Sequence, residues 1–525
     1  MPTSSSVHQW LSLVGIIWLQ SFNGTNTNFP AYSSQLKQLL SMSQLQLNNL
    51  AFASDAGKIF GFFSGIAALY LPLWLVLLIG STLGLIGYGV QYLFLTNYIT
   101  SLSYTHIFLL TVIAGNSICW INTVCYVVAI KNFPFDRQVA VGLSTSYQGL
   151  SAKLYTVLVD ACFSSFPAAK AKAYLLFSSV LPFFVCVMAT PVVRDIDHIR
   201  NSKNMKSGFL VIFFITIATG IYAIISSLRS MTSVLSPLGS AIGVLVFLLA
   251  PLLIPLTVKI RDMLSVKKEA KVYNFTAEEK GNNVERMENR VKEGEDEERE
   301  ENGNEVGVKE EIGVKVMLKR LNFWLYFLVY LLGATLGLVY LNNLGQIAES
   351  RGCLGTSSLV SLSSSFGFFG RIIPSLMEYF LSRSKNMIPR TASIAALMAP
   401  IAGAFFLLLN TSHICLYIST AVIGVCTGAI TSISVSTTTE LFGTKNFSIN
   451  HNVLVANIPL GSFVFGYLAA LLYHKEGNGD GKCMGTKCYR NTFIIWGSLC
   501  FLGTCLALVL YARNRKFYLQ RLDYR

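Results

Sequence analysis

Charge is what this sequence has least of. Asp, Glu, Lys and Arg make up 13% of its 525 residues, about half the share of a soluble domain. Apolar residues make up 53%, and the mean hydropathy is +0.53. That balance excludes an ordinary soluble enzyme and a chain disordered from end to end. Histidine is also scarce. The six, at positions 8, 106, 198, 413, 451 and 474, form no His-Glu-x-x-His pair or other ligand cluster. There is no nucleophile elbow and no phosphate loop ending in Gly-Lys-Ser/Thr, so neither enzymatic chemistry nor ATP binding is expected, and no metal or cofactor is called for. The eleven cysteines lie mostly inside apolar runs, as small fillers, which excludes a secreted disulfide scaffold. Cys483 and Cys488 are the exception, six positions of loop in which a disulfide is one option.

What the chain has is apolar runs of membrane-spanning length. A spanning helix needs about 20 such residues. Fourteen candidates fit: near 8–30, 48–70, 73–95, 104–130, 139–162 and 171–193, then 207–228 and 234–258, then 321–346, 357–381, 389–410, 413–438, 447–473 and 491–512. The implied organisation is a six-helix bundle over 1–195, two additional helices over 196–258, an acidic linker over 259–318, a second six-helix bundle over 319–512 and a basic tail over 513–525. The formal charge of +14 is distributed accordingly: residues 265–318 hold 15 acids against 10 bases, and the rest of the chain holds 12 acids against 31 bases. A basic hydrophobic body with one acidic insert is no nucleic-acid surface. With both termini cytoplasmic, short inside loops and the tail carry fifteen Lys and Arg against nine outside, which favours that orientation in a plasma membrane or endomembrane. The insert, dense in Glu and Lys, cannot bury enough apolar surface to fold alone and reads as a disordered cytoplasmic linker; docking of a cytoplasmic partner is its alternative role.

Polar residues inside a bilayer are costly and are the first place to look for function. They recur at corresponding places in the two halves: Asn26 and Asn28 with Asn343 and Gln346, and Gln148 with His451, as a cavity between repeats requires. Helix–helix hydrogen bonding is the competing explanation for each residue alone. Lys153, seven residues before Asp160 on one face, is expected to draw an anionic solute into that cavity. Asp55 and Lys58, three apart on one helix, read equally as coupling groups or as a packing ion pair.

Several segments together resemble the plant nodulin-like group of the major facilitator superfamily: Ser54-Asp55-Ala56-Gly57-Lys58, Ser144-Thr145-Ser146-Tyr147-Gln148-Gly149-Leu150-Ser151-Ala152-Lys153, Asn342-Asn343-Leu344-Gly345-Gln346-Ile347, Ser365-Phe366-Gly367-Phe368-Phe369-Gly370-Arg371 and Asn450-His451-Asn452. The resemblance implies two six-helix bundles with two extra helices between them, rocking to expose a central site alternately to each side. It also implies a cytoplasmic gate built from Gly370, Arg371, Glu378, Arg383 and Arg390, whose first-half counterpart, Gly65 to Trp74, carries no charge. The expected function is secondary transport of a small solute by alternating access, with an anion as one candidate. A membrane scaffold or sensor that retains the fold without transporting is the alternative.

Overall fold

The computed structural model describes residues 4–163, 167–196, 205–226, 236–264, 310–353, 356–381, 389–477 and 483–523. Helices account for nearly all of them, and no strand occurs among the described residues. Lipid offers no hydrogen-bond partner to a peptide group, so each apolar run closes its own backbone bonds as a helix.

The first half runs α1 (Ser4–Asn23), α2 (Phe29–Leu39), α3 (Gln44–Ala56), α4 (Gly61–Tyr70), α5 (Leu73–Leu95), α6 (Tyr104–Asn132), α7 (Arg137–Cys162) and α8 (Pro167–Ala189). The additional pair is α9 (Met205–Ile225) and α10, which begins at Pro237 and stays helical to Leu264. A short α11 (Val314–Leu318) leads into the second half: α12 (Leu321–Tyr330), α13 (Leu336–Ser350), α14 (Thr356–Leu381), α15 (Arg390–Leu407), α16 (His413–Phe442), α17 (Phe447–Val455), α18 (Asn457–Glu476) and α19 (Lys487–Asp523).

All fourteen expected spans coincide with helix. Ten are long and apolar enough to cross a bilayer on those grounds alone. The other four are α1, α3 with α4, α7 and α14: α3 and α4 are each too short to span alone and carry Asp55 and Lys58 at their junction, and the polar residues of α7 face protein rather than lipid. Along α7, Gln138, Ser144, Thr145, Ser146 and Ser151 are all buried.

Besides the 3-10 turn Ala250–Leu252 within α10 and the step from α17 to α18 at Ala456, three spans are discontinuous among the described residues. The first does not end near residue 30, as its apolarity suggested; α1 stops at Asn23, one 3-10 turn covers Thr25–Asn28, and the helix resumes as α2 to Leu39. Between α3 and α4 lies a 3-10 turn, Gly57–Phe60, and between α12 and α13 a π-helical turn, Leu331–Thr335. Backbone irregularity at membrane depth is tolerated where it lines a cavity, as around Asn26 and Lys58, or is packed in protein, as at residues 332–335.

The halves meet along two seams. In one, α4 meets α17: a Cβ on Gly65 would stand 2.6 Å from the Ser448 carbonyl oxygen, so only glycine permits this approach, and Ser448 Oγ donates to Gly65 O at 2.8 Å. In the other, α7 meets α14: a Cβ on Gly142 would overlap the Ser375 side chain, and Ser375 Oγ donates to Gln138 O at 2.7 Å. These contacts lie toward the end of the bundle where α1 begins and α19 finishes, and they close it there.

The two ends of the acidic segment are structured. Residues 259–264 continue α10, and Glu311 docks on the α16–α17 corner, accepting from the backbone N–H groups of Thr444 (2.7 Å) and Lys445 (3.0 Å). Gly443 sits at φ +91° there, against the Glu311 carboxylate. Residues 265–309, the expected linker proper, lie outside the described residues. At the opposite end of the bundle, Cys483 and Cys488 are joined by a disulfide.

Candidate functional site

A cavity of about 550 Å³ lies between the halves and is lined by both. The break after α1 delivers Gly24, Asn26 and Thr27 to its wall. Asn23 holds the break in place, donating through Nδ2 to Ile118 O (3.2 Å) and Asn122 Oδ1 (2.9 Å) on α6, while Gly24 N donates to Ser151 Oγ on α7 (3.1 Å). Away from the closed end the wall continues through Asn49, Phe52, Asn343, Gln346, Phe463 and Tyr467, several of them exposed, so the cavity reaches toward the end opposite the termini.

Asp55 and Lys58 form a buried ion pair in this wall, Oδ1 to Nζ at 2.6 Å. The second Asp55 oxygen accepts from Ser462 Oγ on α18 at 2.6 Å, so this carboxylate bridges the halves. Phe52 and Phe463 meet beside it with ring centres 5.5 Å apart.

Arg371 projects into the same cavity from α14. Its Nη1 donates to the Thr145 carbonyl of α7 at 2.8 Å, again across the halves. Among the described residues no carboxylate forms an ion pair with it. Tyr126 and Tyr330 stand in the wall with it. A guanidinium carries five donors, and one is used on Thr145, so the remaining fork is available to a bound group.

His451 lines the cavity but is held as a packing residue. It stacks on Phe447 at 5.1 Å, meets Tyr126 edge-on at 5.5 Å, and its Nδ1 lies 3.2 Å from Thr438 Oγ1. Its neighbour Asn452 donates to Thr123 Oγ1 of the first half at 2.8 Å.

Of the residues expected at the cavity, Asn26, Gln148, Asn343, Gln346 and His451 line it, as do Asp55 and Lys58. Asn28 does not: the 3-10 turn swings its amide away, to Ser178 on α8 at 3.1 Å. Lys153 does not either. Its amine donates to the Ser226 carbonyl at the end of α9 (3.2 Å), and Asp160 on the same helix is paired with Lys170 (2.6 Å).

The expected gate divides. Arg390 bonds Glu378 at 2.8 Å and approaches Glu440 at 3.4 Å, and Tyr518 donates to Glu440 at 3.2 Å, a charged cluster at the closed end. Arg371 is not in that cluster, because about two turns of α14 separate it from Glu378 and its side chain enters the cavity. Gly370 is a packing residue whose Cβ position lies 2.2 Å from Val425 O on α16. Arg383 lies outside the described residues.

Sequence reasoning missed Asn122 with Tyr126 on α6 and Thr427, Thr431 and Ser434 on α16, all of them in the wall. Their spacing of three and four is the available signal, a polar stripe on one face of an otherwise apolar span.

Comparison with known proteins agrees with this architecture. Residues 9–260 match the family model described as Nodulin-like, and residues 305–520 match that described as NFD4, C-terminal domain. The chain is 37% identical to Protein NUCLEAR FUSION DEFECTIVE 4 of Arabidopsis thaliana, over 97% of this chain and 89% of that one. Among solved structures it is similar in fold to the major facilitator superfamily proton:xylose symporter XylE bound to 6-bromo-6-deoxy-D-glucose, with a TM-score of 0.54, 12% identity and 95% of each chain covered.

Proposed function

Because the chain belongs to the nodulin-like family and has the major facilitator fold of a multi-pass membrane transporter, we propose that it carries a small organic anion by alternating access, with Arg371 holding the anion. The observation that carries this reading is the Arg371 guanidinium, set in a cavity between the halves with no described carboxylate opposite it. The cavity's other charges, Asp55 and Lys58, neutralise each other. A cation left over in a site of low dielectric favours a negatively charged occupant, and the amides of Asn26, Gln148, Asn343 and Gln346 provide polar contacts for the rest of a small solute.

Alternating access fits the way the halves touch. Sealing at the terminal end depends on close backbone approach at Gly65 and Gly142 rather than on an extended charge network, and such seams part without stranding many charges. The positive-inside bias makes that end cytoplasmic, so the cavity faces the opposite compartment. Arg390, Glu378 and Glu440 then form the cytoplasmic gate of the second half. Asp55, bonded to both Lys58 and Ser462, is the group through which a gradient would be coupled to separation of α3 from α18.

Binding tests the reading without a known substrate. Purified protein is heated in the presence of small mono- and dicarboxylates and of their neutral amide analogues. A carboxylate is expected to raise the melting temperature in the wild type and in Lys153→Ala, and to have no effect in Arg371→Gln. A charge-assisted hydrogen bond contributes about 1.5–3 kcal/mol, so Arg371→Gln should weaken binding by about 10- to 150-fold. Equal stabilisation of wild type and Arg371→Gln by the same carboxylate would overturn the anion assignment.

A further inference from the structure

The additional pair α9 and α10 lies outside both six-helix bundles, yet α9 touches both halves along its length. It is fixed to the first half at three levels. Phe209 meets Trp10 edge-on at 5.0 Å, Thr216 Oγ1 lies 3.3 Å from Tyr147 OH, and the carbonyl of Ser226, just past the helix end, accepts from Lys153 at 3.2 Å. That last contact places a cation at a helix C-terminus, where the exposed carbonyls favour it. α10 ties the pair down further, through Trp18 Nε1 donating to Leu248 O at 2.8 Å.

The same helix reaches the second half. Tyr379 OH of α14 donates to the Lys206 carbonyl at 2.8 Å, Phe213 meets the Tyr379 ring edge-on at 5.6 Å, and Gly220 lets the Phe368 ring approach to 2.3 Å from its Cβ position. Phe368, Ile372 and Tyr379, though on the second half, accordingly bury themselves in the apolar core of the first. Among the described residues no additional helix covers the other seam: there α3, α4, α17 and α18 meet directly, and Ile59, Phe63, Phe463 and Tyr467 are exposed.

We propose that α9 is a strap over the α7–α14 seam, so that the halves hinge about this seam and separate chiefly along the α4–α17 seam. The proposal rests on the alternating-access reading and adds to it an asymmetry that two pseudo-equivalent seams would not have. It also gives Lys153 a role outside the cavity, as the cation that anchors the end of the strap.

The test measures two distances by pulsed electron resonance in the full chain, with reactive native cysteines replaced. One pair of spin labels, at Phe214 and Phe380, reports the strapped seam; both sites are exposed, at 67% and 53%. The other, at Ile66 and Val453, reports the unstrapped α4–α17 seam. Gly65→Trp is then introduced to force α4 from α17, with Gly65→Ala as the milder wedge should the larger side chain prevent folding. The expected result is a longer Ile66–Val453 distance with the Phe214–Phe380 distance unchanged. Lengthening of both pairs together would overturn the strap while leaving alternating access intact. If neither distance responds to either wedge, the halves do not move as rocking requires, and the transport reading falls together with the strap.

Discussion

The ion pair Asp55–Lys58 gives the sharpest energetic expectation. Both residues are more than nine-tenths buried, and their charged atoms are 2.6 Å apart. Asp55→Asn leaves the Lys58 ammonium without its counter-charge in the membrane interior, and Lys58→Met leaves Asp55 with only the Ser462 hydroxyl. Breaking a buried pair from one side costs about 3–5 kcal/mol, and contact with the cavity moves the expectation to the lower end, about 3 kcal/mol. Removing both charges leaves no uncompensated ion, so the double variant should lose only about 1 kcal/mol, chiefly packing and the Ser462 bond. The coupling between the two sites is then large and favourable, several times what an exposed pair at this spacing gives. The assay is unfolding of the four proteins in mixed micelles by titration with a denaturing detergent. Single variants each less stable than the double would bear the pairing out; a double variant whose loss equals the sum of the two single losses would refute it.

Other expectations follow from the ends of the bundle. Glu311→Ala removes a carboxylate that accepts from two backbone N–H groups and from Thr444 Oγ1 beside the start of α17, and should cost about 1 kcal/mol, as loss of a helix cap does; a thermal shift in detergent reads it, and an unchanged midpoint would show that the α16–α17 corner holds without it. Burial raises the pKa of Asp136, in the loop between α6 and α7, Glu378 adding to the rise and Lys206 opposing it. A raised carboxyl pKa gives stability that is complete below the unfolded value of about 4 and is lost as pH climbs through the folded value. Asp136→Asn should therefore be more stable than wild type at pH 7, and the difference should vanish near pH 4; a gain that persists in acid would contradict the burial argument. Alkylation without reductant should leave Cys483 and Cys488 unmodified in the intact protein, as the disulfide requires, and mass spectrometry of the 483–488 peptide decides it.

How much was legible in advance varied with the kind of signal. Uniform apolar runs such as Leu73–Leu95 were visible with their boundaries, because hydropathy alone determines them. The first span was cut short. Phe29–Leu39 reads as a loop, with Pro30 at its start and Ser33, Ser34, Gln35 and Lys37 within, yet its location beside α8 makes it the outer half of a broken helix. Spacing showed which residues share a face but not which neighbour that face meets. Asp55 and Lys58 did pair, whereas Lys153, expected in the cavity, bonds the end of α9, and Arg390 rather than Arg371 took Glu378. Asn28 illustrates the same limit on a smaller scale: a single 3-10 turn rotates it from the cavity to α8 while Asn26, two residues earlier, stays in the wall. The bridging bonds of Asp55 to Ser462 and of Arg371 to Thr145 join residues hundreds of positions apart, and no local pattern encodes them.

The central claim is that an anion crosses the membrane through the cavity held by Arg371. Its most direct test is uptake into proteoliposomes of radiolabelled carboxylates and of neutral solutes of the same size, with a pH difference imposed across the membrane. The expected result is uptake of one or more carboxylates, exclusion of their neutral analogues, and loss of that uptake in Arg371→Gln but not in Lys153→Ala. Uptake of neutral solutes alone, or carboxylate uptake undiminished in Arg371→Gln, would contradict it.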